Sequence, residues 1–153
     1  MSSIEKAFDI IERNKHLADF CDPIPPSEVA KAEHMLDVHF PKSYAKFIKS
    51  YGAGDIGGLE LYGIIEALEK DGHGPPNGVW LTQDSRKIAN LPHEFIVIAD
   101  TGYGPHYVLD TSQMDDSGEC PVYMWDVGNQ KEKIADSFGD FLYEELKNNE
   151  ELE

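Results

Sequence analysis

The sequence predicts an α+β fold, a single domain over residues 1–153 in which an antiparallel β-sheet is flanked by α-helices. Three observations carry this. Apolar residues recur at helical spacing toward both ends of the chain, the middle holds short alternating or continuous apolar runs, and short turns rich in Gly, Pro and Asp separate those runs. Strands joined so closely pair antiparallel, because a parallel pair needs a long crossover. A length of 153 residues with 41% hydrophobic side chains suffices for one core and excludes a disordered composition.

The elements follow in order. Ile4, Ala7, Phe8 and Ile11 fall on one helical face, and Ser2 with Glu5 reads as a capping box. Pro23, Pro25 and Pro26 force an extended segment, after which Ser27 reads as the N-cap of a second helix with Val29, Ala32 and Leu36 inward. Pro41 suits the start of a third helix with Tyr44, Phe47, Ile48 and Tyr51 on its apolar face, stopped by Gly52. Gly58–Ile64 alternates and reads as a strand. Residues 65–94 are hard to read: Gly72–Gly78 is a loop, and Trp80–Ile88 is either a short helix or irregular. Phe95–Ala99 is continuously apolar, as a central strand would be. His106–Asp110 and Pro121–Trp125 are further strands, entered through the turns Thr101–Pro105 and Asp115–Glu119. Asn129 or Asp136/Ser137 caps a last helix carrying Phe138, Phe141, Leu142 and Leu146, and residues 148–153 form an acidic tail expected to fray.

Charge narrows the function. Lys and Arg number 13 against 29 Asp and Glu, a formal net charge of −16. Residues 1–76 carry 8 basic and 13 acidic side chains, net −5, whereas residues 77–153 carry 5 and 16, net −11. Such a charge keeps a protein dispersed and favours a monomer; it also attracts a basic partner and speeds its approach. Direct nucleic-acid binding is disfavoured, since that needs Lys and Arg on phosphates. Cys21 and Cys120 are far apart and outside any C-x-x-C pair, so free thiols in a reducing compartment are expected. Glu5, Asp9 and Glu12 interrupt the first apolar pattern, which excludes a signal peptide there, and no run approaches the ~18 apolar residues of a membrane span. The expected location is the cytoplasm.

Motifs of catalysis are sparse. Gly52–Gly57 spells G-x-G-x-x-G, but a helix precedes it and a strand follows, the reverse of a dinucleotide site. Six histidines form no H-E-x-x-H and no i, i+4 pair, so no zinc signature exists. Asp110, Asp115, Asp116 and Glu119 surround one turn without EF-hand spacing, and turn chemistry accounts for them. Cys120 before Pro121 reads as a small apolar residue. No catalytic residue, metal or cofactor is assigned. Tyr62, Tyr103, Tyr107, Tyr123 and Trp125 lie on or beside the strands; they are either core residues or aromatics on an open face beside carboxylates, which suits protein recognition. The candidate partner-binding set is therefore Asp55, Glu60, Tyr62, Asp100, Tyr103, Tyr107, Asp110, Asp115, Asp116, Glu119, Tyr123, Trp125 and Asp126.

Three segments resemble a known family. Glu33 followed by Phe40-Pro41-Lys-Ser-Tyr44-Ala-Lys-Phe47-Ile-Lys-Ser-Tyr51-Gly52 is similar to the E…LP-x-x-Y-x-x-F-L…G signature of the SUKH superfamily (SMI1/KNR4-like). Gly57–Ile64 resembles its glycine-bounded strand, and Ile134–Leu142 its closing A-x-S-F-x-x-F-L helix. Asp110, Gly118–Val122 and Trp125-Asp126 look like the bacterial branch. One departure is Gly104-Pro105-His106-Tyr107, where many relatives have Gly-Asp, so any role of that Asp is lost or moved here. The resemblance implies a helix-flanked antiparallel sheet without catalytic machinery. It also implies an immunity protein that binds and neutralises a cognate toxin, typically a basic nuclease. The alternatives are a cytoplasmic regulator or scaffold of the same fold, and last a Cys120-dependent hydrolase.

Overall fold

The computed structural model describes residues 1–128 and 131–153. Helix α1 spans Ser3–Arg13, and the Ser2 side chain accepts the Glu5 amide at 3.4 Å as the capping box requires. Helix α2 is Pro26–Leu36 and begins two residues earlier than expected: Pro26 takes the first turn, so Ser27 lies inside the helix and is not its cap. Helix α3 is Lys42–Tyr51. The open stretch before the central strand resolves as helix α4, Gly78–Ile88, because the Asn77 side chain accepts the Trp80 amide at 2.9 Å. Helix α5 is Phe138–Lys147, capped by Ser137, which accepts the Asp140 amide at 3.0 Å. The alternative cap, Asn129, lies outside the described residues.

Among the described residues seven strands form one antiparallel meander in sequence order: β1 Ala18–Phe20, β2 Gly54–Ile56, β3 Leu59–Leu61, β4 Phe95–Asp100, β5 His106–Asp110, β6 Val122–Trp125 and β7 Lys131–Ala135. The sequence showed no sign of β1, β2 or β7, and the strand expected over Gly58–Ile64 shrinks to three residues. A three-residue strand is defined by its neighbour's hydrogen bonds and leaves no periodicity to read. Strand β2 lies within the G-x-G-x-x-G segment. Gly54, at φ 139, sits where an added Cβ would lie 2.2 Å from the Asp19 carbonyl of β1. That glycine serves close strand approach.

The sheet separates two apolar clusters. The larger packs α1, α2, α3 and α5 against one face, with Phe47, Phe138 and Phe141 at its centre. Each such ring contributes about 1.5–3 kcal/mol by leaving water. Tyr44 is buried there too, and its hydroxyl donates to the Tyr62 carbonyl at 2.8 Å. The smaller cluster lies under α4 on the opposite face: Tyr62, Leu91, Phe95, Val97, Val108 and Trp125. Thr82 of α4 fixes this layer by accepting the Val97 amide at 3.0 Å, where β4 is bulged against β5.

The tail lies against the fold. Asn149 donates its side-chain amide to the Gly57 carbonyl at 2.9 Å, Leu152 packs on the larger core, and the Glu153 amide donates to the fully buried Asn14 side chain at 2.8 Å. A single leucine with one buried and one half-buried polar partner offsets the ordering of so short a segment.

Candidate functional site

The meander aligns carboxylates from separate turns of the sequence. Asp19 of β1 is the register partner of Asp55 on β2, and Asp55 is the partner of Glu60 on β3. Leu61 faces Ala99, so one step further along both strands Glu60 comes beside Asp100 of β4. Cross-strand partners share a face about 5 Å apart, so the four carboxylates form a row of about 15 Å. Their neighbours Ala18, Phe20, Ile56, Leu59 and Leu61 turn into the larger core, which leaves the row on the α4 side of the sheet.

This row lies where α4 does not reach. Asp19, Glu60 and Asp100 are exposed and Asp55 is half-buried. Among the described residues none of the four is within ion-pair distance of a cation. The Tyr62 phenol beside them is pushed up to about 12, first by burial and then by the charges of Asp100 and Glu60. Like charges directly opposite one another on a sheet destabilise it. The register continues through Asp100, His106, Trp125 and Lys131.

Two more expected residues join this end of the sheet. Tyr103, in the β4–β5 turn, is 71% exposed, and its hydroxyl donates to Met124 Sδ at 3.1 Å. With Pro105, Met124, Asp126, Lys131 and Glu132 it lines a groove of about 340 Å³. Asp126, at the start of the β6–β7 turn, is exposed.

Other expected residues are corrected. Tyr62 and Trp125 are 4% and 1% exposed, and α4 covers them, so neither presents its ring to a partner. Tyr107 points to the helical face and packs against Phe141, the ring centroids 4.9 Å apart and tilted by 55°. Tyr123 is half-buried against the smaller cluster, under the Lys131 ammonium, and its hydroxyl accepts from Gln113 at 3.1 Å.

The acidic cluster after β5 lies at the far end of the sheet, away from the row. Asp110 is 2% exposed and accepts from Ser112 and Gln113, which caps a short 3-10 turn over Thr111–Gln113. Asp115 accepts from the Ser117 hydroxyl and from the Ser117 and Glu119 amides, and these bonds hold its carboxyl below the usual range. Glu119 is turned inward onto α3. Three of the four carboxylates are thus occupied by the fold; Asp116 alone is exposed there without a bond of this kind. Turn chemistry is the role of Asp110 and Asp115, whereas Glu119 holds the start of α3.

Asp19 escaped the sequence reading. Its only signal is Ala18-Asp19-Phe20, one polar residue between two inward ones, too short to mark a strand. Cys21 and Cys120 are both free. Cys120 is 1% exposed and burial pushes its thiol up to about 12, with Glu119, Asp110 and Asp115 adding repulsion. At neutral pH it is a thiol and not a thiolate nucleophile. Among the described residues no three His, Cys, Asp or Glu side chains converge as a metal cage, and no helix is long and apolar enough to cross a membrane.

One comparison bears on this geometry. A family model described as SUKH_5, SMI1-KNR4 cell-wall, matches residues 4–147. The match runs from the first turn of α1 to the last residue of α5, and so takes in every strand of the row.

Proposed function

The chain belongs to the SUKH (SMI1-KNR4) family, and from that premise we propose that it is a cytoplasmic, non-catalytic immunity protein that neutralises a cognate basic toxin of the nuclease type. Domains of this type bind proteins and are often immunity proteins. The observation that carries the reading is the row Asp19–Asp55–Glu60–Asp100, four carboxylates side by side with no cation at ion-pair distance among the described residues. A sheet serving stability alone gains nothing from such a row, whereas a basic partner gains both attraction and register from it. A nuclease must carry Lys and Arg to hold phosphates, so an acidic protein can occupy the same surface and arrive fast. Tyr103 and the adjoining groove supply an aromatic contact beside the charges.

Co-expression with the toxin domain encoded beside this gene tests the proposal. Rescue of growth, and a complex whose association slows as salt rises, are the expected results. No rescue together with no complex would sink it, and a gene remote from any toxin would favour a regulator of the same fold.

A further inference from the structure

Resting on that reading, we propose that residues 149–153 are a strap that positions the binding row by holding the β2–β3 hairpin. The hairpin has three residues on each strand and carries Asp55 and Glu60, the two middle members of the row. A hairpin of that length has little stability of its own. Its turn is held from outside. Asn149 donates to the Gly57 carbonyl at 2.9 Å, and the strap lies so close that a Cβ on Gly57 would stand 2.9 Å from the Asn149 side-chain nitrogen and 3.0 Å from Leu152 Cδ2. The far end of the strap is fixed to α1, where the Glu153 amide donates to Asn14 and Arg13 donates to the Glu153 carbonyl at 3.4 Å.

The strap's hold is small: one side-chain bond to the turn, one leucine, one bond to Asn14 and a long bond from Arg13. Segments held so lightly open locally without unfolding the core. When the strap opens, Asp55 and Glu60 lose their fixed place between Asp19 and Asp100, and a partner reading the spacing of four charges loses its template. Asn149 and Leu152 are therefore positioning residues for the row, although neither belongs to it.

The test uses the full chain carrying Asn149→Ala with Leu152→Ala, which keeps every charge, and Asn149→Ala alone, which leaves no cavity in the core. Two quantities are read: hydrogen exchange of the amides in residues 54–61, with those in β5 and β6 as the internal reference, and affinity for an oligolysine peptide at low salt. The expected result is exchange about tenfold faster in the hairpin alone. Peptide affinity is expected to fall about threefold to tenfold. Unchanged hairpin exchange in both variants, or unchanged affinity despite faster exchange, overturns the proposal. If the double variant loosens β5 and β6 as well, Asn149→Ala alone decides by the same two readings. If the unaltered chain does not bind oligolysine, the reading of the row as a binding surface fails, while hairpin exchange still decides whether the strap holds the turn.

Discussion

Glu119 caps helix α3 from 76 residues away in sequence: its carboxylate accepts the Ser43 amide at 3.0 Å and the Ser43 hydroxyl at 2.7 Å. Pro41, which precedes the helix, has no side chain able to do this. The Ser43 hydroxyl oxygen also accepts the Gly139 amide at 3.1 Å, so one contact joins α3, the β5–β6 connection and α5. Glu119→Ala leaves an amide and a hydroxyl without their acceptor. The expected loss is about 1–3 kcal/mol, read as a lower urea midpoint with an unchanged slope.

The same residue sets a pH dependence. Burial raises the Glu119 carboxyl above its ordinary value of 4.5, against the lowering effect of the Ser43 bonds. A raised native value means the folded state holds the proton more tightly than the unfolded chain. This contribution is present below pH 4.5 and is lost as pH rises through the higher folded value. Glu119→Gln cannot ionise and lacks this slope. The stability advantage of the parent over the variant is therefore expected to narrow from pH 4.5 upward in paired urea titrations. A gap that widens with pH would show the assignment to be wrong.

The carboxylate row makes stability and binding move in opposite directions. Asp55→Asn combined with Glu60→Gln removes like-charge contacts between adjacent strands, and should raise stability by about 0.2–1 kcal/mol per relieved pair. The same variant should associate more slowly with a basic partner and show a shallower salt dependence. Thermal unfolding and stopped-flow association at two ionic strengths measure the two effects. A variant that loses stability and keeps its on-rate contradicts the role given to the row.

Gly54→Ala tests the strand edge. The new methyl would meet the Asp19 carbonyl at 2.2 Å from a backbone at φ 139, which side chains rarely adopt. A cost of about 2–4 kcal/mol follows from clash and strain together. Because β1 must move, Asp19 leaves the row, and amide exchange in β1 should rise before that of β4.

Thiol chemistry separates the two cysteines. Cys21 is half-buried, and burial also raises its thiol, but Cys120 is almost wholly enclosed. In native protein an aromatic disulfide reagent should label Cys21 slowly and Cys120 only at the rate of unfolding. Under the proposed immunity role, Cys120→Ala should leave toxin neutralisation intact. Loss of neutralisation in a folded Cys120→Ala variant would restore the hydrolase reading.

Much of the helical layer was legible because its signals are local. Ser2 and Ser137 each sit at a helix start, and their effect needs only the next three residues, whereas Ser27 was misread as the cap of α2 and Asn77, the cap of α4, went unread. The continuous apolar run of β4 announced a strand buried on both faces, and both clusters use it. The candidate site was legible only in part. Asp55, Glu60 and Asp100 stood among the candidate acidic residues, but nothing local distinguished them from Asp110, Asp115 and Glu119, whose oxygens the fold has already engaged.

The amino-acid sequence by itself determined the fold class, the apolar faces of α1, α2, α3 and α5, the central strand, the acidic excess and the family, because each is written in local pattern or composition. Tertiary structure alone decided which carboxylates face solvent together, that α4 hides Tyr62 and Trp125, and that residues 149–153 are fastened to the β2–β3 turn. The physical reason is range. Asp19 and Asp100 are 81 positions apart in the sequence, and only cross-strand hydrogen bonding, which depends on partner strands too short to signal themselves, sets them in one row.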